Sequence, residues 1–496
     1  NKEQAKLLDN VYRRFVKNGA LLSEKDKETL RDLNNQLSAA QLEFSQNLLH
    51  ETNETYVIVD SRAELPGLHA YNNRGNQDNQ YNNKALCTKI VNLRISKAHL
   101  MGYEDFASMA LEDRMAQNSA NVYDLLDQVW EPAVKAENAE IADIKAEMAK
   151  DGISGEPERW DYMYYLDKAM ASKFNIDQAK ISEYLEINNV QQGIFYAAGK
   201  LYGLTFVERT AEYPVYNKDT KSWDVIDKDG KQIAIFYSDY FPRAGKGAGA
   251  WCGGFRGTHY ENGVRTLPIV TNVCNMSLPS ADKPALQTLD NVETMFHEFG
   301  HALHSFLRNT HYYGTASVER DFVELPSQIN EHWAFQPEVM KVYAKHYQTG
   351  EIIPQELLAK VDAANKYGQG FVTTELVAAM YTDMDLHVLK ENVDNLDVIK
   401  YEEELMGKRG LPKQILPRYR MTNFSHTMGG GYSAGYYSYM WSEVLDADAF
   451  EAFEETGDIF NPEVAAKFRK YVLSAGGVDD GATMYRNFRG RDPKVD

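Results

Sequence analysis

Apolar positions recur at helical spacing in two runs along the first fifty residues, which predicts two amphipathic helices. Gly19 ends the first, and Ser23 followed by Asp26 resembles a capping box that opens the second. A short β-like run, Tyr56–Val59, comes next, and residues 61–83, rich in Asn, Gly and Gln, read as a loop. Helical periodicity returns over Lys84–Met101 and, strongly, over Ser119–Lys150, with Gly152 as the stop. Near Leu204 the apolar spacing shortens from about 3.6 to about 2. Tyr213–Tyr240 alternates around Asp229-Gly230, which predicts a β-hairpin or small sheet. Ala250–Phe255 and Leu267–Val273 are further strand candidates, and past Pro284 the pattern is helical almost to the end. The chain reads as mostly α, with one small sheet just ahead of a helix of unusual chemistry.

Composition narrows the class. At 496 residues, 43% hydrophobic and 25% charged, the chain is too long for one simple core, and two or more lobes are expected. A net charge of −19 argues against nucleic acid as a partner, because phosphates call for clustered Lys and Arg. No apolar run reaches the roughly 20 residues of a membrane span, and no signal-peptide pattern opens the sequence. Cys87, Cys252 and Cys274 show no C-x-x-C spacing and are expected as buried free thiols, with a Cys252–Cys274 pair, if two strands bring them together, as the alternative. Compartment, cytoplasmic or periplasmic, stays open.

The unusual helix reads Asn291-Val-Glu-Thr-Met-Phe-His297-Glu298-Phe-Gly-His301-Ala-Leu-His304. His297 and His301 stand four residues apart, so both imidazoles leave one helical face about a turn apart. At that separation two ring nitrogens can meet one Zn²⁺ at roughly 2.0–2.1 Å. Glu298 lies about 100° round the helix, beside a metal rather than on it. There it is placed to take a proton from zinc-bound water and later to hand it to the leaving amine. The alternative is a surface helix with two chance histidines. The pattern H-E-x-x-H arises by chance in such a chain only about once in fifty. Met295, Phe296, Phe299, Ala302 and Leu303 surround it, so the rings are expected to be buried, and buried rings need partners. The motif reads as a metal site.

A catalytic zinc usually takes three protein ligands and keeps one position open. His304 is seven residues past His297, roughly 10 Å along the axis, and too far to share one ion with it. It reads as a packing or supporting neighbour. Glu319, Asp321, Glu324 and Glu331 are the next carboxylates, in a segment where a helix is expected to start with Asp321 near its N-cap. Asp321-x-x-Glu324 would serve equally as a capping pair that touches no metal. Spacing does not choose among the four.

The block His297–His304, followed by Glu319-Arg-Asp-Phe-Val-Glu-Leu-Pro-Ser-Gln328, resembles the thimet oligopeptidase family of zinc metallopeptidases. A third block, Phe424-Ser-His426-Thr-Met-Gly-Gly-Gly-Tyr432-Ser-Ala-Gly-Tyr436-Tyr-Ser-Tyr439-Met-Trp441, strengthens the likeness. The resemblance implies a gluzincin-type zincin: two helical lobes around a deep channel, with the small sheet beside the active-site helix. It implies one zinc per chain, Glu324 as third ligand, Glu293 orienting a ligand and Asp321 as a weaker supporting residue. Tyr432, Tyr436 and Tyr439 fall at i, i+4 and i+7, which would align them on one helical face. By themselves they read as an aromatic core stripe. With the other blocks, the family pattern assigns Tyr439 to the oxyanion, His426 and Tyr432 to hydrogen bonds with substrate, and Tyr436 to the same wall. Gly429–Gly431 fits a mobile loop.

Gly245–Ala250 is glycine-rich but precedes no helix, which excludes a dinucleotide fingerprint. Gly249 and Ala250 are expected to lead into an edge strand that pairs with extended substrate. Tyr485–Pro493 and Phe424–Phe450 are most similar to the family's bacterial peptidyl-dipeptidases. Removing C-terminal dipeptides calls for a cation or hydroxyl cluster that holds the terminal carboxylate; Arg418 and Arg420 are candidates, with a structural role on a helix or loop surface as the alternative. An endo-acting oligopeptidase is the runner-up, and an inactive peptide-binding protein a remote third. The expected organisation is an N-terminal helical region over 1–115 and a catalytic region over 116–496, acting on short peptides as a monomer. The resemblance also implies more chain ahead of a segment like Asn1–Leu49, and more between residues 59 and 84.

Overall fold

The computed structural model describes residues 1–54, 74–394 and 396–494. The run Tyr56–Val59 and most of the Asn-rich segment lie outside the described residues. Contacts within the chain sort it into two compact units. One comprises Asn1–Arg14, Asp177–Ala359 and Trp441–Asp496, and the other Phe15–Ile176 and Lys360–Met440. The expected boundary between residues 115 and 116 falls inside the second.

Most helices lie where periodicity puts them. The first, Lys2–Lys17, stops ahead of Gly19, whose φ of +83° ends it. The second, Glu24–Glu54, opens on the Ser23–Asp26 pair, with the Asp26 N–H on Ser23 Oγ at 3.2 Å. Lys84–Leu100 and Ser119–Lys150 match their expected spans, the latter capped by Asn118 and followed by Gly152 at φ +75°. In the second unit, Phe44, Cys87, Ile90 and Val91 form a core with Leu386, Met421 and Met428. The helix Gln369–His387 packs along Ser119–Lys150 so closely that a Cβ on Gly370 would sit 2.3 Å from the Glu137 nitrogen. Glu140 accepts the Gly370 and Phe371 N–H groups at 2.8 and 2.9 Å, closing that helix's open end.

The first unit holds the strands: β1 (Thr205–Glu208), β2 (Lys221–Ile226), β3 (Gln232–Asp239), β4 (Trp251–Arg256), β5 (His259–Glu261), β6 (Val264–Thr266) and β7 (Ile269–Val273). Five form a sheet in the order β1-β2-β3-β7-β4, antiparallel except for the β3–β7 pair. The hairpin β2–β3 turns at Gly230 (φ +79°), as its alternation predicts. β5 and β6 form a second hairpin turning on Asn262-Gly263, both at positive φ, the strongest short hairpin signal in the chain and one the periodicity reading passed over. The helix Leu289–Leu307, which carries the histidine motif, lies on the sheet through Phe299 and Phe306, whose ring centroids are 5.5 and 5.6 Å from that of Phe236.

The chain past Pro284 departs from its expected near-continuous helix. Residues 409–437 hold only the 3₁₀ turn Met421–Asn423 and the short helix Ser425–Met428 as named elements. Among the described residues no helix is long and apolar enough to cross a membrane. Cys87, Cys252 and Cys274 are free thiols.

Candidate metal centre

The motif helix is opened by Thr288, whose hydroxyl accepts the Asn291 N–H at 3.1 Å. Two turns on, His297 and His301 share a face, with ring centroids 5.1 Å apart. A second helix, Leu325–Glu331, has Pro326 in its first turn, and Glu324 occupies its N-cap position. Asp321, expected near that N-cap, sits instead in the preceding 3₁₀ turn Arg320–Phe322. The two helices touch at Gly300. A Cβ there would lie 2.2 Å from the Pro326 carbonyl oxygen and 2.6 Å from Ser327 Cα, so only glycine permits the approach. A glycine inside a helix costs about 1 kcal/mol relative to alanine, and this contact is the reason for it.

The approach carries Glu324 to the histidines. Its Oε2 lies 3.4 Å from His297 Nε2 and 3.0 Å from His301 Nε2. Ligand atoms held at 2.0–2.1 Å on a tetrahedral ion stand roughly 3.3 Å apart, so two imidazoles and one carboxylate at these separations suit a single small cation. Among the described residues these three form the group whose ligand atoms all lie within 4.8 Å of one another. Burial opposes the charge on Glu324, yet His301 and His297 outweigh it and hold the carboxyl well below its ordinary range. Burial also opposes a charge on His297, and its hydrogen bonds to Glu324 and Glu331 overcome it, raising the ring well above its usual value. A cation at this point would take over the neutralising part that those protons play.

The surroundings fix the ligand atoms. Glu331 Oε1 lies 2.5 Å from His297 Nδ1, so the ring presents Nε2 to Glu324. Glu324 and Glu331 are seven residues apart, two turns on one face, which lets one helix supply both carboxylates. Glu293, expected to orient a ligand, is solvent-exposed one turn ahead of His297. The carboxylate on that ring comes from the facing helix instead. Ser327 donates to Glu324 Oε2 at 3.0 Å, Asn330 to the Phe296 carbonyl at 2.6 Å and Asn272 of β7 to the Glu298 carbonyl at 2.7 Å. These three supports were not singled out from the sequence.

Glu298 is 5% exposed, and its Oε2 has no hydrogen-bond partner among the described residues. A buried carboxylate oxygen without a donor is costly unless a water or ligand belongs beside it. Burial raises its carboxyl above the ordinary value, while His297 and His301 pull it back. His304 is buried outside the three-residue group, and burial together with Arg308 pushes its ring well below the usual value. Glu319 accepts the Gly481 N–H. Asp321 is fully buried, and its carbonyl accepts the Ser442 hydroxyl.

β4 begins at Trp251 and is an edge strand, directly after Gly249 (φ +84°) and Ala250. Asn275 steadies its approach by donating to the carbonyls of Gly247 and Gly249 at 2.9 and 2.7 Å.

In the second unit, His426, Tyr432, Tyr436 and Tyr439 do come together, though by another route than the expected helical face. Only Tyr439 is on the helix Ser438–Glu454, and residues 431–437 are successive turns. The Tyr432 and Tyr439 rings stack at 5.3 Å, and His426 lies 5.8, 5.4 and 6.3 Å from Tyr432, Tyr436 and Tyr439. Burial lifts the Tyr436 hydroxyl well above its usual range. Arg420 is 5% exposed and bonded to Glu402 at 2.7 Å and Glu403 at 3.3 Å. Glu402 also accepts the Met421 N–H, so Arg420 braces its own loop rather than facing a ligand. Arg418 is exposed, with one nitrogen on Glu375 at 3.0 Å.

Residues 68–496 match Peptidase family M3. The chain is 33% identical to a dipeptidyl carboxypeptidase of Escherichia coli over 546 aligned positions, covering 99% of this chain and 79% of that one. Oligopeptidase A of E. coli is 30% identical, covering 100% and 81%. Among solved structures, a Pyrococcus furiosus carboxypeptidase superposes with a TM-score of 0.58 at 12% identity, covering 100% of this chain and 82% of that one. PZ peptidase A superposes with a TM-score of 0.55 at 13% identity, covering 98% and 76%. At such identities the likeness speaks for the fold. With an enclosed His-His-Glu group and a family match over most of its length, this chain belongs to peptidase family M3 and is a metallopeptidase.

Proposed function

We propose that this chain is a zinc peptidase that releases dipeptides from the free C-termini of short peptides. The observation that carries the reading is the meeting of His297, His301 and Glu324 beside the unpartnered, buried oxygen of Glu298. Two imidazoles with one carboxylate is a donor set suited to catalytic zinc, which when bound would polarise the scissile carbonyl and acidify water. Glu298 takes the proton from the attacking water and returns it to the leaving amine. Glu331 holds the His297 ring by its Nδ1 edge, and Ser327 holds Glu324, so neither ligand has to reorganise during the reaction. Tyr439 is assigned to the oxyanion, and His426, Tyr432 and Tyr436 to the substrate backbone, on the resemblance stated above. Among the described residues β4 pairs with β7 alone, which suits its other edge to an extended peptide.

The name of the 33% identical relative supports the dipeptidyl reading, and that of oligopeptidase A supports an endo-acting alternative. With Arg420 buried on Glu402 and Glu403, Arg418, exposed and held by Glu375 through one nitrogen, is the better candidate for the terminal carboxylate. Glu298→Gln should retain zinc while peptide cleavage falls by several orders of magnitude; turnover near that of the parent would sink the mechanism. A short peptide and its C-terminally amidated form separate the two specificities, since equal cleavage of both would favour the endo-acting enzyme.

A further inference from the structure

The loop that carries three of the four wall aromatics is built around one carboxylate that no part of the reading above employs. Asp383 is fully buried in the helix Gln369–His387. Its Oδ1 accepts the Thr427 hydroxyl at 3.1 Å and the Ala434 N–H at 3.0 Å. Its Oδ2 accepts the Gly435 and Tyr436 N–H groups at 2.8 and 2.9 Å. Three successive backbone N–H groups turned on one anion form a nest, the arrangement proteins use to seize phosphates and carboxylates. Here the anion is internal. The nest requires Ala434 at φ +48°, a left-handed conformation that a residue with a Cβ adopts only under constraint.

The opposite side of the loop is gripped as well. His387, four residues on, places Nδ1 3.1 Å from Asp383 Oδ1 and Nε2 2.9 Å from the Arg94 guanidinium. The other Arg94 nitrogen donates to the Thr427 carbonyl at 2.7 Å. Arg94 and His387 are each 1% exposed. The Thr427–Tyr436 segment is thus tied through N–H groups to Asp383 and through a carbonyl to Arg94. It also closes on itself, with Tyr432 N–H on the His426 carbonyl at 3.0 Å and Ser433 Oγ on the Thr427 and Gly430 carbonyls, both at 2.8 Å. The outcome of this bracing is a fixed placement for His426 and Tyr432, both half-buried, and for Tyr436.

We infer that Asp383 is a positioning residue for the reaction: it holds the glycine loop so that the His426–Tyr432–Tyr436 cluster and its partner Tyr439 are set before substrate binds. The inference rests on the reading that Tyr439 serves the chemistry. Asparagine has nearly the same shape, but its NH₂ would face an N–H or hydroxyl donor and leave it unpaired.

The test uses the full chain loaded with zinc, with Asp383→Asn and Tyr439→Phe made singly and together. Measured are kcat and KM on a short peptide, zinc content and the thermal midpoint. Asp383→Asn is expected to lower kcat on the order of 10²-fold, with zinc content unchanged and KM within about threefold. In the Tyr439→Phe background the same change should cost less than about tenfold, because the cluster no longer has the Tyr439 hydroxyl to be set against. An equal loss in both backgrounds, or a lower midpoint with normal kcat, would make Asp383 structural only and overturn the inference. Tyr439→Phe with parental kcat would instead remove the Tyr439 role, and the inference with it. If Asp383→Asn does not fold, Thr427→Val decides. A loss of about three- to tenfold in kcat that vanishes with Tyr439→Phe supports the inference, and no loss overturns it.

Discussion

Glu137 shows how far a single buried acid can be from its solution behaviour. It is fully buried on the Ser119–Lys150 helix beside Thr374 and Glu140, and burial lifts its carboxyl from 4.5 to about 8. The folded state therefore holds a proton at neutral pH that the unfolded chain releases. For an acid whose folded pKa is raised, the stabilising contribution is complete below about 4.5 and is lost as pH climbs to about 8. Glu137→Gln removes this dependence. The parent and variant should melt alike near pH 4.5, with the variant gaining steadily up to pH 8. A midpoint difference that stays flat across that range would refute the assignment. His297, Glu298 and Glu324 are unsuitable for such a test, since a cation rewrites all three titrations at once.

The metal centre is as much a product of how two helices meet as of the side chains they carry. Gly300→Ala places a methyl group where the Pro326 carbonyl stands, so the helices must part or the site must distort. A cost at the upper end of the roughly 1–3 kcal/mol usual for overpacking is expected, with a larger loss of affinity for the proposed zinc. Melting temperature and zinc retention on dialysis against a weak chelator would show it; unchanged zinc affinity would show that the approach can relax. The histidine pair and Glu298 were legible in the sequence because one helix fixes their relation through 3.6-residue geometry. The helix Ser119–Lys150 and the β2–β3 hairpin were legible for the same reason, each being a local pattern. Glu324 needed the family resemblance, because its distance from the histidines depends on tertiary packing. Glu331 had a signal in its seven-residue spacing from Glu324, and Gly300 in its cost to a helix. The parallel β3–β7 pair joins residues thirty-four apart, such as Ile235 and Ile269, and no local pattern reports it. Tyr432 and Tyr436 misled because aromatic spacing imitated a helix while Gly429–Gly431 and Gly435 made one unfavourable. Asp383 and His387 left a mark of their own, a polar i, i+4 pair that with Thr382 and Asp385 interrupts the mainly apolar run Leu376–Leu389.

At the scale of the whole chain, each compact unit is assembled from separated segments. Glu3 accepts the His311 N–H at 2.7 Å and the Thr315 hydroxyl at 2.8 Å, which ties the first helix to a loop more than three hundred residues away. Leu37, Phe44 and Ile90 help to build the core around Leu386 and Met421. A chain starting at residue 116 would lose both, although it would keep every residue of the metal group. It should fail to melt cooperatively by circular dichroism and should be rapidly degraded in limited proteolysis; a sharp melting transition would show that the first 115 residues are dispensable. β4 carries a different consequence. Proteins usually guard an outer strand with lysines, prolines or tight covering, because a bare row of amides recruits whatever extended chain arrives first. β4 has Gly253 and Gly254 at its centre, with Trp251 and Phe255 partly in solvent, so the usual guards are missing there. A strand open to a passing peptide would be equally open to its own kind, so the purified protein should store best with an uncleavable peptide occupying that row.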